Sequence, residues 1–153
     1  MLGPEGQGLA IGGGFVWVTN GASGDVYRLN FRTGSARSAR FGSNVSRPAF
    51  GFDRLWLCSW DGGHALLVRV DPRTLRNELE REALPAEQGH FAVGFGSIWR
   101  HDVPSGTLMR FRPRTGDPQG LIPVLKKPPE GPALFVTSIS AGAGGVWLSV
   151  TDT

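Results

Sequence analysis

Three histidines, His64, His90 and His101, and two acids near them, Asp61 and Asp102, are the residues whose types and spacing could carry chemistry. Two imidazoles and a carboxylate can hold a divalent cation, or divide the roles of general acid and general base between them. His90, His101 and Asp102 are the set that comes nearest to that requirement. Histidine is equally an ordinary hydrogen-bonding residue of loops, so a structural reading of all three stands beside the chemical one. Trp60 points to recognition instead. It lies in a Ser-Trp-Asp-Gly-Gly segment, out of step with the other tryptophans, and a lone aromatic there suits a ligand contact or packing on a neighbouring repeat. Asn20 and Arg47 fall in loops of the same kinds. Cys58 is the single cysteine, which leaves neither a disulfide framework nor a cysteine-based metal site.

What must position these residues is a repeat. Aligned on Trp17, Trp56, Trp99 and Trp147, the preceding residues read LAIGGGFVW, PAFGFDRLW, FAVGFGSIW and ISAGAGGVW without a gap. Each segment has a small residue second, a glycine fourth (Gly12, Gly51, Gly94, Gly142), and Val or another aliphatic residue before the tryptophan. A second motif follows, VYRLNFRTG, LVRVDPRTL and LMRFRPRTG, in which Arg28, Arg69 and Arg110 recur every 41 residues. The tryptophans are spaced less evenly, by 39, 43 and 48 residues, so insertions fall in loops.

A period near 40 fits either a helical hairpin or a four-stranded propeller blade. The composition chooses the blade: 23 Gly and 11 Pro in 153 residues break the chain into short apolar runs rich in β-branched and aromatic residues. The second motif alternates, placing Tyr27 and Leu29, Val68 and Val70, and Met109 and Phe111 on one face and the arginines on the other. Each unit therefore reads as four strands: one ending at the repeated glycine, one carrying the tryptophan, one carrying the arginine, and a polar outer strand. The turn before each tryptophan needs positive φ, supplied by Gly except in the second unit, where Asp53 must take it. The segment TLRNELEREAL is composed of good helix formers and reads as an outer strand on repeat register alone. All four repeated tryptophans are expected in the core, and the arginine stems between blades with their guanidinium groups on backbone carbonyls.

The fold expected is all-β, a β-propeller fragment of three complete four-stranded blades plus part of a fourth. Residues 1–153 form one partial domain: blades at 8–47, 48–90 and 91–125, a loop at 126–138 and a partial blade at 139–153. Open sheet edges imply that the remaining blades come from a longer protein or from self-association. Loops entering the inner strands (43–47, 87–90, 126–138) and loops between second and third strands (20–24, 60–64, 101–106) meet at the channel mouth. All three histidines and Trp60 are expected in these loops. Leu134 and Phe135, after a proline-stiffened insertion, can dock on a partner or cover the blades.

Charge narrows the partners. With 16 Lys+Arg against 13 Asp+Glu, scattered and mostly arginine, the basic residues form a solvated surface and not a nucleic-acid track. No apolar run is long enough to span a membrane, and residues 1–8 lack the character of a secretory signal.

The stretch VWVTNGASGDVYRLNFRTG resembles the repeat of YVTN-type bacterial β-propellers, and the strand pair before it is similar to that of streptogramin B lyase propellers. The first resemblance implies a non-enzymatic, extracytoplasmic binding or scaffold module. The second implies a metal-dependent enzyme using His and Glu from propeller loops. The lyase unit has Trp-Phe-Thr-Glu where this chain has Trp17-Val18-Thr19-Asn20, Trp56-Leu57-Cys58-Ser59, Trp99-Arg100-His101-Asp102 and Trp147-Leu148-Ser149-Val150. Only Asp102 offers a carboxylate at the Glu position.

The sequence thus favours a non-catalytic binding or scaffold module without a cofactor, whose small-molecule or protein ligand meets Asn20, Arg47, Trp60, Asp61, His64, His90 and His101 at the mouth. One alternative is a lyase-like enzyme in which His90, His101 and Asp102 hold a divalent metal such as Mg. Another is a sensor segment of a larger receptor or kinase.

Overall fold

The structure, a computed structural model, describes residues 6–61, 64–83, 90–102, 106–124 and 134–152, and the side chains of Trp60, Asp61, His64 and Asp102 lie outside that description. The described residues are strands and turns without a helix. The chain divides into two compact units, Met1–Pro85 and Ala86–Thr153.

The first unit holds two sheets. In the first, β1 (Gly6–Gly12), β2 (Phe15–Asn20), β3 (Asp25–Asn30) and β4 (Ala36–Arg40) run as an antiparallel meander. In the second, β5 (Asn44–Val45) and β6 (Ala49–Gly51) both pair with β7 (Arg54–Asp61), followed by β8 (His64–Val70) and β9 (Asn77–Ala83). The inner strand of this blade is split because Pro48 has no N–H to give the ladder. Ser46 bridges the gap: its N–H donates to the Cys58 carbonyl at 2.8 Å and its Oγ accepts the Cys58 N–H at 3.0 Å. The second unit holds β10 (Phe91–Gly94), β11 (Ser97–Asp102), β12 (Thr107–Phe111) and β13 (Pro118–Pro123), then a two-stranded sheet of β14 (Leu134–Gly142) and β15 (Gly145–Asp152).

One device closes every inner hairpin. The indole N–H of Trp17, Trp56, Trp99 and Trp147 donates to the carbonyl of Gly12, Gly51, Gly94 and Gly142, at 3.1, 3.1, 2.9 and 2.8 Å. The turn between has both central residues in the left-handed region: Gly13 and Gly14, Phe52 and Asp53, Phe95 and Gly96, Ala143 and Gly144. That geometry matches the right-handed strand twist. Asp53 takes the expected conformation at φ 55°, and Phe52 shares it.

The repeated arginine sits directly opposite the tryptophan on the next strand, as Trp17↔Arg28, Trp56↔Arg69 and Trp99↔Arg110. Arg69 and Arg110 lie over the indoles of Trp56 and Trp99 at 5.9 and 5.4 Å. Arg28 instead covers Phe15 at 4.5 Å and donates to the carbonyls of Pro72 and Arg73 in the adjacent blade. The core of the first unit is Trp17, Val26, Phe41, Val45, Leu55, Leu57, Val68 and Val70. Trp17 stacks on Phe50 at 6.4 Å. The Phe50 ring occupies the place a Cβ of Gly12 would need, and Gly94 receives Ala141 in the same manner.

Three expectations are corrected. Trp147 is 58% exposed and not core. Its indole still caps Gly142, but among the described residues β15 has no third strand to set an arginine opposite it. His101 is not a loop residue: it lies in β11, 1% exposed. Trp60 and Asp61 likewise belong to β7 and His64 opens β8 rather than lying in a loop, so only residues 62 and 63 separate the two strands. The helix-forming segment 74–84 is a strand over Asn77–Ala83, because the open edge of β8 offers a ladder that an isolated short helix lacks.

Candidate functional site

Strand direction fixes which residues share an end of the blades. The β1–β2 type turns and the Arg-Thr turns lie at one end; the connections between second and third strands lie at the other. At that other end of the first unit are Asn20, which closes β2 opposite Asp25, and Asp61, which closes β7 opposite His64. Trp60 pairs in register with both Asn44 and Ala65, one residue earlier. Arg47 is exposed and its backbone lies against Gly8, on the strand beside Asn20. The structure therefore brings Asn20, Arg47, Trp60, Asp61 and His64 to one end of one unit. Asn20 has a defined local role, its Oδ1 accepting the Ser23 N–H at 3.3 Å. Ser23 in turn donates to Asp25 at 2.7 Å, and this bond, followed by that from Arg40, holds the Asp25 carboxyl below the ordinary range.

In the second unit His90 and His101 meet through the backbone, the His101 N–H donating to the His90 carbonyl at 3.1 Å. Asp102 follows on β11, opposite Thr107. Arg100 and His101 are both buried, at 2% and 1% exposure. The alignment carries the signal that places His101 in a strand. It occupies the second position after the tryptophan, held elsewhere by Thr19, Cys58 and Ser149, and Thr19 and Cys58 are also buried strand residues. Among the described residues no group of three His, Cys, Asp or Glu side chains is gathered to hold a metal ion.

The opposite end of the first unit has a cleft that the sequence did not announce. It encloses about 540 Å³ and is lined by Gly13, Phe15, Phe50, Asp53, Arg54, Asp71, Pro72 and Arg73. Its two acids balance its two arginines, and its polar groups are engaged in turns. Asp71 accepts the Arg73 and Thr74 N–H groups at 2.7 and 2.8 Å. Those bonds, from Thr74 first and Arg73 second, hold its carboxyl below the ordinary range. Arg54 is bonded to Glu78, which raises its pKa.

Among solved structures the chain is similar to glutaminyl cyclase of Myxococcus xanthus, with a TM-score of 0.62 and 18% identity, covering 95% of this chain and 73% of that one. It is similar to a streptogramin B lyase, with a TM-score of 0.67 and 14% identity, covering 95% of this chain and 48% of that one. It is also similar to BamB from Moraxella catarrhalis, with a TM-score of 0.69 and 13% identity, covering 93% of this chain and 39% of that one. The fold class is therefore all-β, of the β-propeller kind. At such identities the likeness is one of fold, and the proteins that share it include enzymes and non-enzymes alike. No protein-family model matches the chain, and a search of curated proteins finds no match.

Proposed function

We propose that this chain is a β-propeller binding module whose ligand meets the end of the blades that carries Asn20, Arg47, Trp60, Asp61 and His64. The observation behind this reading is a division of labour. Residues that recur in register are used to build: the tryptophans cap hairpins, the arginines cover aromatic rings, and the glycines admit the neighbouring blade. Asn20, Arg47, Trp60, Asp61 and His64 do not recur, their backbones lie toward one end of the first unit's strands, and as residue types they are an amide, a cation, an aromatic, an anion and an imidazole. A ligand site needs an apolar anchor with a few polar groups around it, which is this composition.

The test is a fragment screen by saturation-transfer NMR on the wild type and two variants. Hits should be lost in Trp60→Ala and kept in Phe31→Ala, whose ring is 61% exposed in an Arg-Thr turn at the opposite end. Hits that survive Trp60→Ala and vanish in Phe31→Ala would overturn the assignment.

The lyase reading keeps one supporting observation, the fold shared with a streptogramin B lyase. It requires His90, His101 and Asp102 to hold a cation, yet His101 is enclosed in its sheet at 1% exposure. Calorimetric titration with Mg²⁺ should show no uptake. One-to-one uptake lost in both His90→Ala and His101→Gln would replace the binding module with the enzyme.

A further inference from the structure

The inner strands share an irregularity just ahead of the repeated motif. In β1, Gly6 pairs with Asn20 and Gly8 with Thr19, so Gln7 is an extra residue. In β14, Val136 pairs with Val150 and Ser138 with Ser149, so Thr137 is extra. In the second sheet, Val45 pairs with Ser59 and Ala49 with Trp56, which sets three residues, Ser46, Arg47 and Pro48, against two on β7. Aligned on the tryptophans, Gln7, Ser46 and Thr137 occupy one position, so a β-bulge recurs there in these inner strands. Bulges bend a strand and re-aim the side chain beside them. The position that follows holds Gly8, Arg47, His90 and Ser138, four residues of different chemistry.

Arg47 is held at two points. On its own sheet, the Ser46 Oγ accepts the Cys58 N–H at 3.0 Å and closes the ladder that the bulge opens. Thr137 uses its hydroxyl on the equivalent partner, donating to the Ser149 carbonyl at 3.3 Å. From the neighbouring sheet Gly8 meets the bulge: a Cβ there would lie 2.6 Å from the Arg47 Cα and 2.7 Å from the Pro48 Cδ. Val45 and Pro48 are buried, and Arg47 between them is exposed. Its guanidinium forms no hydrogen bond or ion pair among the described residues. Ser138, at the equivalent place, instead uses its hydroxyl within its own sheet, on the Ser149 Oγ at 3.1 Å. An arginine kept for solubility needs no such bracing. A recognition residue does, because a fixed backbone leaves less freedom to lose on binding. Asp25, at the same end, is bonded to Ser23 and Arg40.

We infer that Arg47 takes an oxyanion of the ligand, a carboxylate or a phosphate, with Ser46 and Gly8 as its positioning residues. The inference rests on the binding reading above and adds the charge of the ligand to it. A guanidinium meets either group with paired, charge-assisted N–H donors, which a neutral amide cannot match in strength.

Amide chemical-shift titrations of the whole chain with benzoate, phenyl phosphate and neutral benzamide test this. At least one anion should bind about tenfold more tightly than benzamide, and the tighter of the two tells carboxylate from phosphate. Arg47→Gln should erase the preference, and Arg47→Lys should keep part of it. Ser46→Ala should narrow it with Arg47 still present. Ser46→Thr, which installs the residue found at the equivalent place in β14, should restore it. A purely structural role for Ser46 would weaken anions and benzamide alike. Equal binding of all three probes, lost in Trp60→Ala, would overturn the anionic ligand and leave the binding module standing. Binding that survives Trp60→Ala would remove the site itself. An anion preference unchanged in Arg47→Gln or in Ser46→Ala, or no binding of any probe, would also overturn the inference.

Discussion

At the scale of single residues, the repeat is a hydrogen bond and a missing side chain. Each indole N–H caps a glycine carbonyl five residues back, so the tryptophan fixes its own hairpin as well as filling space. Trp99→Phe keeps an aromatic ring and loses that bond. It should lower stability by about 1 kcal/mol, read from urea unfolding, with strand content unchanged in far-UV circular dichroism. The glycines are equivalent in sequence and differ in surroundings. A methyl at Gly12 falls in the Phe50 ring, whereas one at Gly142 meets nothing within 4 Å among the described residues. Gly12→Ala should therefore cost about 1–3 kcal/mol by overpacking. Gly142→Ala should leave the unfolding midpoint of the monomer where it was. Equal losses in the two variants would show that the glycines serve backbone conformation and not the approach of the next blade.

At the scale of strands and turns, much was legible because the repeat reports on itself. Asp53 was placed in the left-handed region by its alignment with glycines, and it is there at φ 55°. Repeat register likewise marks 74–84 as an outer strand against its own helix propensity, and Asn77–Ala83 is one. What escaped was what depends on neighbours. Trp147 carries the full motif and is nonetheless 58% exposed, and among the described residues no third strand pairs with β15. His101 stands at the edge of the connection that the repeat places at 101–106, yet its column, shared with Thr19 and Cys58, belongs to a strand. Leu75 stands where the other Arg-Thr turns have Gly34 and Gly116, at φ 59°, a conformation costly for a leucine; its side chain packs on the core of the first unit.

The same turns give a pH prediction. Asp71 and its counterpart Asn30 each accept two backbone N–H groups, but only Asp71 titrates. Its pKa is depressed in the folded chain, so its contribution is present above the unfolded carboxylate value near ~4 and lost as pH falls through the folded value. Asp71→Asn keeps the acceptor and removes the charge. Thermal melts should place the wild type slightly above the variant at pH 7, with the two converging as pH drops below about 4. A gap that widens on acidification would contradict the assignment.

At the scale of the whole molecule, the repeat supplies the sheets, and strand register sets Asn20, Trp60, Asp61 and His64 at one end of the first unit. Fold alone does not choose among a binder, an enzyme and a sensor, since propeller architecture serves all of these. The binder proposed above rests on the strand register that sets Asn20, Trp60, Asp61 and His64 at one end of the first unit. The most direct test is a backbone amide map of the ¹⁵N-labelled chain, titrated with hits from the fragment screen. Shifts confined to residues 20–24, 44–47 and 60–66 are the result this account predicts. Shifts centred on the turns at 13–14, 52–53 and 71–76, around the cleft lined by Phe50, Arg54 and Arg73, would contradict it and move the functional face to the opposite end of the blades.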